Sequence, residues 1–139
     1  CIQVLLMVFI GKYVMGIDWG GNDWYVVLIL ASFVAAVMAI GLMFTTFLAN
    51  ESQLGALAPV FITSTSMLGG CMWPVEMVKV KFVRDLANLT PQKWAMDALG
   101  QVVNANAGWT EILPSLLVLW GITLVFFFLG SFLLTRKNA

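Results

Sequence analysis

Three stretches of the chain carry no charge: Trp24–Asn50, Ser52–Val75 and Ile112–Thr135. A soluble amphipathic helix would show a polar face every three or four residues; these stretches do not. At 27, 24 and 24 residues, each exceeds the roughly 20 apolar residues that cross a bilayer core as a helix. The pattern predicts spans over about 24–49, 54–73 and 112–134. A fourth apolar stretch, Cys1–Ile17, contains one charge, Lys12. It reads as the outer part of a further span, residues 1–17, whose beginning lies upstream. The fold class expected is all-α: a polytopic integral membrane helical bundle with two short amphipathic cap helices between the last two spans.

The breaks between the spans differ in kind. Asp18-Trp19-Gly20-Gly21-Asn22-Asp23 is dense in turn residues, and Trp19 and Trp24 suit the membrane interface. Asn50-Glu51-Ser52-Gln53 is a minimal turn, which predicts that the next span returns antiparallel beside its predecessor. That span carries Pro59 and the run Thr63-Ser64-Thr65-Ser66, and it ends in Gly69-Gly70-Cys71-Met72-Trp73-Pro74.

The segment 74–111 reads as a cap. Pro74 can occupy the first position of a helix with Glu76 in its first turn, where the macrodipole favours an acid. Val75, Val78, Phe82, Leu86 and Leu89 then form one apolar stripe. A second start follows, with Thr90 as N-cap and Pro91 behind it; Trp94, Ala98 and Val102 share its apolar face. Asn104-Ala105-Asn106-Ala107-Gly108 ends it.

Composition supports the membrane reading. The chain of 139 residues is 61% hydrophobic and 10% charged, against about 45–50% and about 25% for soluble domains. Net charge is zero, which argues against a nucleic-acid partner. With no histidine and two cysteines, Cys1 and Cys71, neither a disulfide framework nor a Cys/His metal site is expected, and Cys71 reads as a small apolar residue. No ionisable residue lies inside the three charge-free spans, so an ion-coupled carrier is unsupported. No general base for membrane-embedded hydrolysis is present there either.

The stretch Gly69-Gly70-Cys71-Met72-Trp73-Pro74-Val75-Glu76-Met77, followed by Leu89-Thr90-Pro91-Gln92-Lys93-Trp94-Ala95-Met96-Asp97-Ala98-Leu99, resembles the C-terminal part of ABC-2 type permeases, the membrane subunits of ATP-binding-cassette exporters. The resemblance extends over the whole chain, 1–139, as part of a single transmembrane domain. Its cap motif residues are Gly69, Gly70, Trp73, Pro74, Glu76, Thr90, Pro91 and Trp94. Members often carry a second proline where this chain has Lys79, and its absence leaves the first cap helix uninterrupted. The resemblance implies a permease subunit that moves a substrate outward by alternating access. A second permease subunit, identical or different, would pair with it within membrane lipid. A cytoplasmic ABC ATPase subunit would carry ATP and Mg. No cofactor, metal or catalytic residue is expected on this chain, which lacks a Gly-x-x-x-x-Gly-Lys-Ser/Thr loop. A multi-pass place in the plasma membrane, the inner membrane of a bacterium, follows. The alternative is a non-transporting membrane assembly or anchoring subunit.

Pro59, Thr63, Ser66 and Gly70 recur at i, i+4, i+7 and i+11, a small, weakly polar face that resembles the family's fifth span. It is the candidate subunit interface or substrate path; the alternative is that its hydroxyls bond their own helix carbonyls. Glu76 is expected either to find a partner in Lys79 or Lys81 or to stand solvated. Orientation is contested. Lys12, Lys79, Lys81, Arg84 and Lys93 lie on the cap side, and only Arg136 and Lys137 on the other. Counting them puts the cap in the cytoplasm. The resemblance puts it outside. The expectation follows the resemblance, because the cap's basic residues are interleaved with acids and Arg136-Lys137 abuts the last span.

Overall fold

The computed structural model describes residues 2–16, 23–48, 50–73, 75–105 and 108–138. The described secondary structure is entirely helical. The helices are α1 (Ile2–Tyr13), α2 (Asp23–Phe47), α3 (Glu51–Leu68), α4 (Lys81–Ala87), α5 (Pro91–Ala105) and α6 (Trp109–Asn138), with a 3-10 turn at Val75–Met77. Two of them, α2 and α6, are long and apolar enough to cross a membrane. At 1.5 Å per residue, their 25 and 30 residues give lengths of about 37 and 45 Å against a hydrocarbon core of about 30 Å.

The core is the seam between α2, α5 and α6. Val26, Ile29 and Ala36 of α2 pack with Ala95, Ala98 and Val102 of α5 and with Ile112, Leu116 and Leu119 of α6. Small residues set how closely the helices approach. On α6, Gly130 is buried, and a Cβ there would lie 3.3 Å from the backbone nitrogen of Met43 on α2. Ser32, buried in α2, returns its hydroxyl to the Leu28 carbonyl at 2.8 Å. This satisfies the donor inside the helix, as apolar surroundings require. Helix α1 joins the seam through buried Val8 and Gly11, and Lys12 forms an ion pair with Asp23.

Helix α3 is different. None of its 18 residues is buried, and its main ties to the rest run from its C-terminal end to α4 and α5. Beside α2, the Phe44 and Phe61 rings meet at 4.4 Å between centroids, but no close seam forms along the pair. The antiparallel return expected from the short turn is therefore loose. Its first turn contains Glu51 and Gln53, and at about 27 Å it is not among the helices apolar enough to cross by length and composition. It also ends at Leu68, where an apolar span through Trp73 was expected.

The first cap helix departs further from expectation. No continuous helix carries Val75 to Leu89. After the 3-10 turn the chain is non-helical over Val78–Val80, and α4 begins only at Lys81, with Val80 extended at φ −80°, ψ 110°. A missing proline at Lys79 did not keep the helix whole. Three valines within six residues, each stiff at χ1, give the segment little helix propensity. The stripe is not buried either, since Phe82 and Leu89 are 71% and 72% exposed. Glu111, expected at the end of the cap, instead lies in the first turn of α6, its amide bonded to the Gly108 carbonyl at 3.1 Å.

Candidate functional site

The C-terminus of α3 is closed by its glycines. The amide of Cys71 donates to the Ser66 carbonyl at 3.1 Å and that of Gly70 to the Met67 carbonyl at 3.4 Å. This is the Schellman pair of bonds, which requires a left-handed residue after the cap. Gly70 supplies it at φ 85°. Gly69 has another reason to lack a side chain. A Cβ there would lie 2.5 Å from Cβ of Gln92 and 3.0 Å from the backbone nitrogen of Lys93. The end of α3 and the start of α5 therefore cross at Gly69.

Side chains complete the crossing. Gln92 Nε2 donates to Thr65 Oγ1 at 3.0 Å, and the Thr65 hydroxyl donates onward to the Phe61 carbonyl at 3.0 Å. Because that proton is committed, Thr65 can only accept from Gln92, which fixes which end of the amide faces it. Gln92 is 6% exposed, and among the described residues its Oε1 has no hydrogen-bond partner. A buried acceptor left unmatched forfeits about 1–3 kcal/mol. Thr90, expected as the N-cap of α5, turns its hydroxyl back to the Ala87 carbonyl at 2.7 Å and closes the end of α4. Trp94 Nε1 reaches the Asn88 carbonyl at 2.8 Å.

Two hollows adjoin this crossing. One, of about 670 Å³, is an apolar cleft between α2 and α3, lined by Phe33, Phe44, Ala58, Phe61 and, at the α5 end, by Thr65 and Gln92. The other, of about 580 Å³, lies between the α3 end and the cap helices and is polar, with Glu76, Arg84, Asp85, Lys93 and Asp97 among its lining residues. Lys93 pairs with Asp97 at 2.8 Å and sits 4.8 Å from the Trp94 ring centroid. Cys71 also lines this hollow and keeps an exposed surface. Desolvation by its neighbours nevertheless pushes its thiol up, so the residue stands neutral near pH 7.

The candidate face along α3 is divided between these surroundings. Pro59 and Thr63 are exposed, Ser66 lines the apolar cleft, and Gly70 lines the polar hollow. The hydroxyls beside the face, Ser64 and Thr65, bond back to the carbonyls of Val60 and Phe61. Of the cap motif, Gly69, Thr90 and Pro91 are buried and Trp94 half-buried, while Trp73 and Glu76 are exposed. Pro74 lies outside the described residues, as do Trp19 and the loop around it. Among the described residues Glu76 forms no ion pair with Lys79 or Lys81. The pattern of apolar positions gave no sign of Gln92, Thr65 or Gly130. Gln92 sits in a polar run, and only the amphipathic phase of α5, which carries it to the buried side with Ala95, could have marked it.

The sequence profile of the ABC-2 type transporter family matches residues 1–104. The chain is 32% identical over 112 residues to the linearmycin resistance permease protein LnrN of Bacillus subtilis (strain 168). That match covers 81% of this chain and 29% of the relative's length. No solved structure matches. An all-α helical membrane chain whose glycine turn and double-proline cap sit inside the matched region belongs to the ABC-2 type transporter family.

Proposed function

We propose that the chain forms part of the permease subunit of an ATP-driven ABC exporter, multi-pass in the plasma membrane of a bacterium. The observation that carries this reading is the family match over 1–104, which includes the α3–α5 crossing. The subunit supplies the membrane path and no catalysis; a cytoplasmic ABC ATPase subunit binds ATP and Mg and drives alternating access. A second permease subunit meets the outward face of α3. That face is supported by the exposure of Pro59 and Thr63, where small residues permit close helix approach. The relative's name refers to linearmycin resistance. Extended to this chain, outward transport serves resistance to an antimicrobial compound.

The test is co-purification. Affinity-purified protein, solubilised from its own cells in mild detergent, is expected to bring a Walker-motif ATPase in fixed stoichiometry and to bind no nucleotide once that partner is stripped. Recovery without an ATPase, together with saturable ATP binding by the protein alone, would overturn the reading and leave an anchoring or enzymatic role.

A further inference from the structure

We propose that the polar hollow between the end of α3 and the cap helices binds the head of a zwitterionic amphiphile, one carrying an ammonium and a phosphate or carboxylate. The charges of the hollow come first. Lys93 and Asp97 neutralise each other at 2.8 Å, and Lys93 also lies over the Trp94 ring. The other charged groups lining the hollow are Glu76, Arg84 and Asp85. Among the described residues their side chains form no ion pair or hydrogen bond. Opposite charges thus share one hollow of about 580 Å³ without pairing. A ligand that displaces the water there must match those charges or leave them unsatisfied. A simple cation would answer the two carboxylates but face Arg84; a simple anion would answer Arg84 but face both carboxylates. A zwitterion answers all three. Its ammonium goes to the carboxylates and its acid to the Arg84 fork, whose geometry suits phosphate and carboxylate.

The walls come second. Met72, Trp73 and Met96 also line the hollow and keep 67%, 42% and 42% of their surface exposed. Apolar surface beside the charges suits the first carbons of a hydrocarbon tail, and an indole serves both the apolar and the wet side of such a place. The hollow lies at the end of α3, none of whose residues is buried, so a molecule in the lipid beside that helix can place its head among the charges. The site is also built before a ligand arrives. The close approach at Gly69 and the 3.0 Å bond from Gln92 to Thr65 hold the end of α3 against α5, which spares a ligand the cost of ordering the walls. The inference concerns a bound ligand and stands whether or not the chain exports it.

Cys71 reports occupancy, because it lines the hollow and is exposed. The protein in phosphatidylglycerol nanodiscs, which carry no amine, is treated with N-ethylmaleimide, and alkylation of the Cys71 peptide is followed by mass spectrometry. Lysophosphatidylethanolamine is expected to slow the reaction about tenfold when well above its Kd, as mass action requires of an occluding ligand. Lysophosphatidylglycerol, which lacks the ammonium, and dodecylamine, which lacks the acid, should leave the rate nearly unchanged. Arg84→Gln and Glu76→Gln should each remove most of the protection. Both side chains are exposed, so the fold is expected to persist, and an unaltered alkylation rate without ligand checks that it does. Lys79→Gln, exposed but outside the hollow, should keep the protection and thereby separate the site from general surface charge. Equal slowing by the three amphiphiles, or full protection retained in both Arg84→Gln and Glu76→Gln, would overturn the proposal. Soluble phosphoethanolamine protecting as well as the lysolipid would overturn the membrane source of the ligand.

Discussion

Helices α2 and α3 are consecutive, joined by a minimal turn, and nearly as charge-free as each other, yet they are held by different forces. Helix α2 buries Val26, Ile29, Ser32, Ala36 and Ala39 against α5 and α6. Helix α3 buries nothing along its length and is fixed at one end by two glycines, a threonine and a glutamine. Lipid is as apolar as leucine, so helices in a bilayer gain little from hiding apolar surface from one another. They associate through close packing and hydrogen bonds. Where small residues permit close packing, as at Ala36, Ala98 and Gly130, a seam forms. Along α3 no such seam forms although Gly41 and Ala58 line the space beside it, and a cleft remains.

That contrast predicts a ranking of substitutions. The largest effect falls on the seam. Leu119→Ala empties a side chain that is fully buried, and such truncations forfeit about 2–5 kcal/mol. A marked fall in the thermal midpoint followed by tryptophan fluorescence is expected. An unchanged midpoint would mean that α6 does not anchor the bundle. Next comes the crossing. Gly69→Val drives a side chain against the Lys93 backbone; overpacking of this kind forfeits about 1–3 kcal/mol. It should lower transport more than it lowers the midpoint, because the α2–α5–α6 seam is untouched. Equal losses in both would show that α3 is as tightly integrated as α2. The smallest effect on folding belongs to the free face of α3. Thr63→Leu should leave stability within about 0.5 kcal/mol while weakening subunit pairing, read as a shift from dimer to monomer by size-exclusion with light scattering. Undisturbed pairing would assign that face to lipid.

Sequence patterning reveals some of this and hides the rest for definite reasons. The charge-free windows identify α2 and α6, because a long run without charges has few other uses. The shared face of Trp94, Ala98 and Val102 likewise lies on the packed side of α5, since a 3.6-residue period survives in any environment. The same logic fails for Val75 to Leu89. Period alone did not weigh the low helix propensity of closely spaced valines, so a turn, an extended link and a seven-residue helix replace one stripe. The end of α3 was legible as a glycine turn, but hydropathy continues to Trp73 and masks the stop at Leu68. Gln92 was hidden for another reason. A buried glutamine looks like any surface glutamine until the partner that buries it, here the end of α3, is in place.

The most direct test of a permease with its cap outside uses α6, which follows the cap and is long and apolar enough to cross a bilayer. In a background without native cysteines, single cysteines replace exposed Gly108 and exposed Asn138, and intact cells are treated with a membrane-impermeant maleimide. Labelling at position 108, with position 138 reacting only after permeabilisation, is the predicted result. Labelling of position 138 in intact cells with position 108 protected would contradict it, placing the cap in the cytoplasm and removing the orientation on which the exporter reading rests.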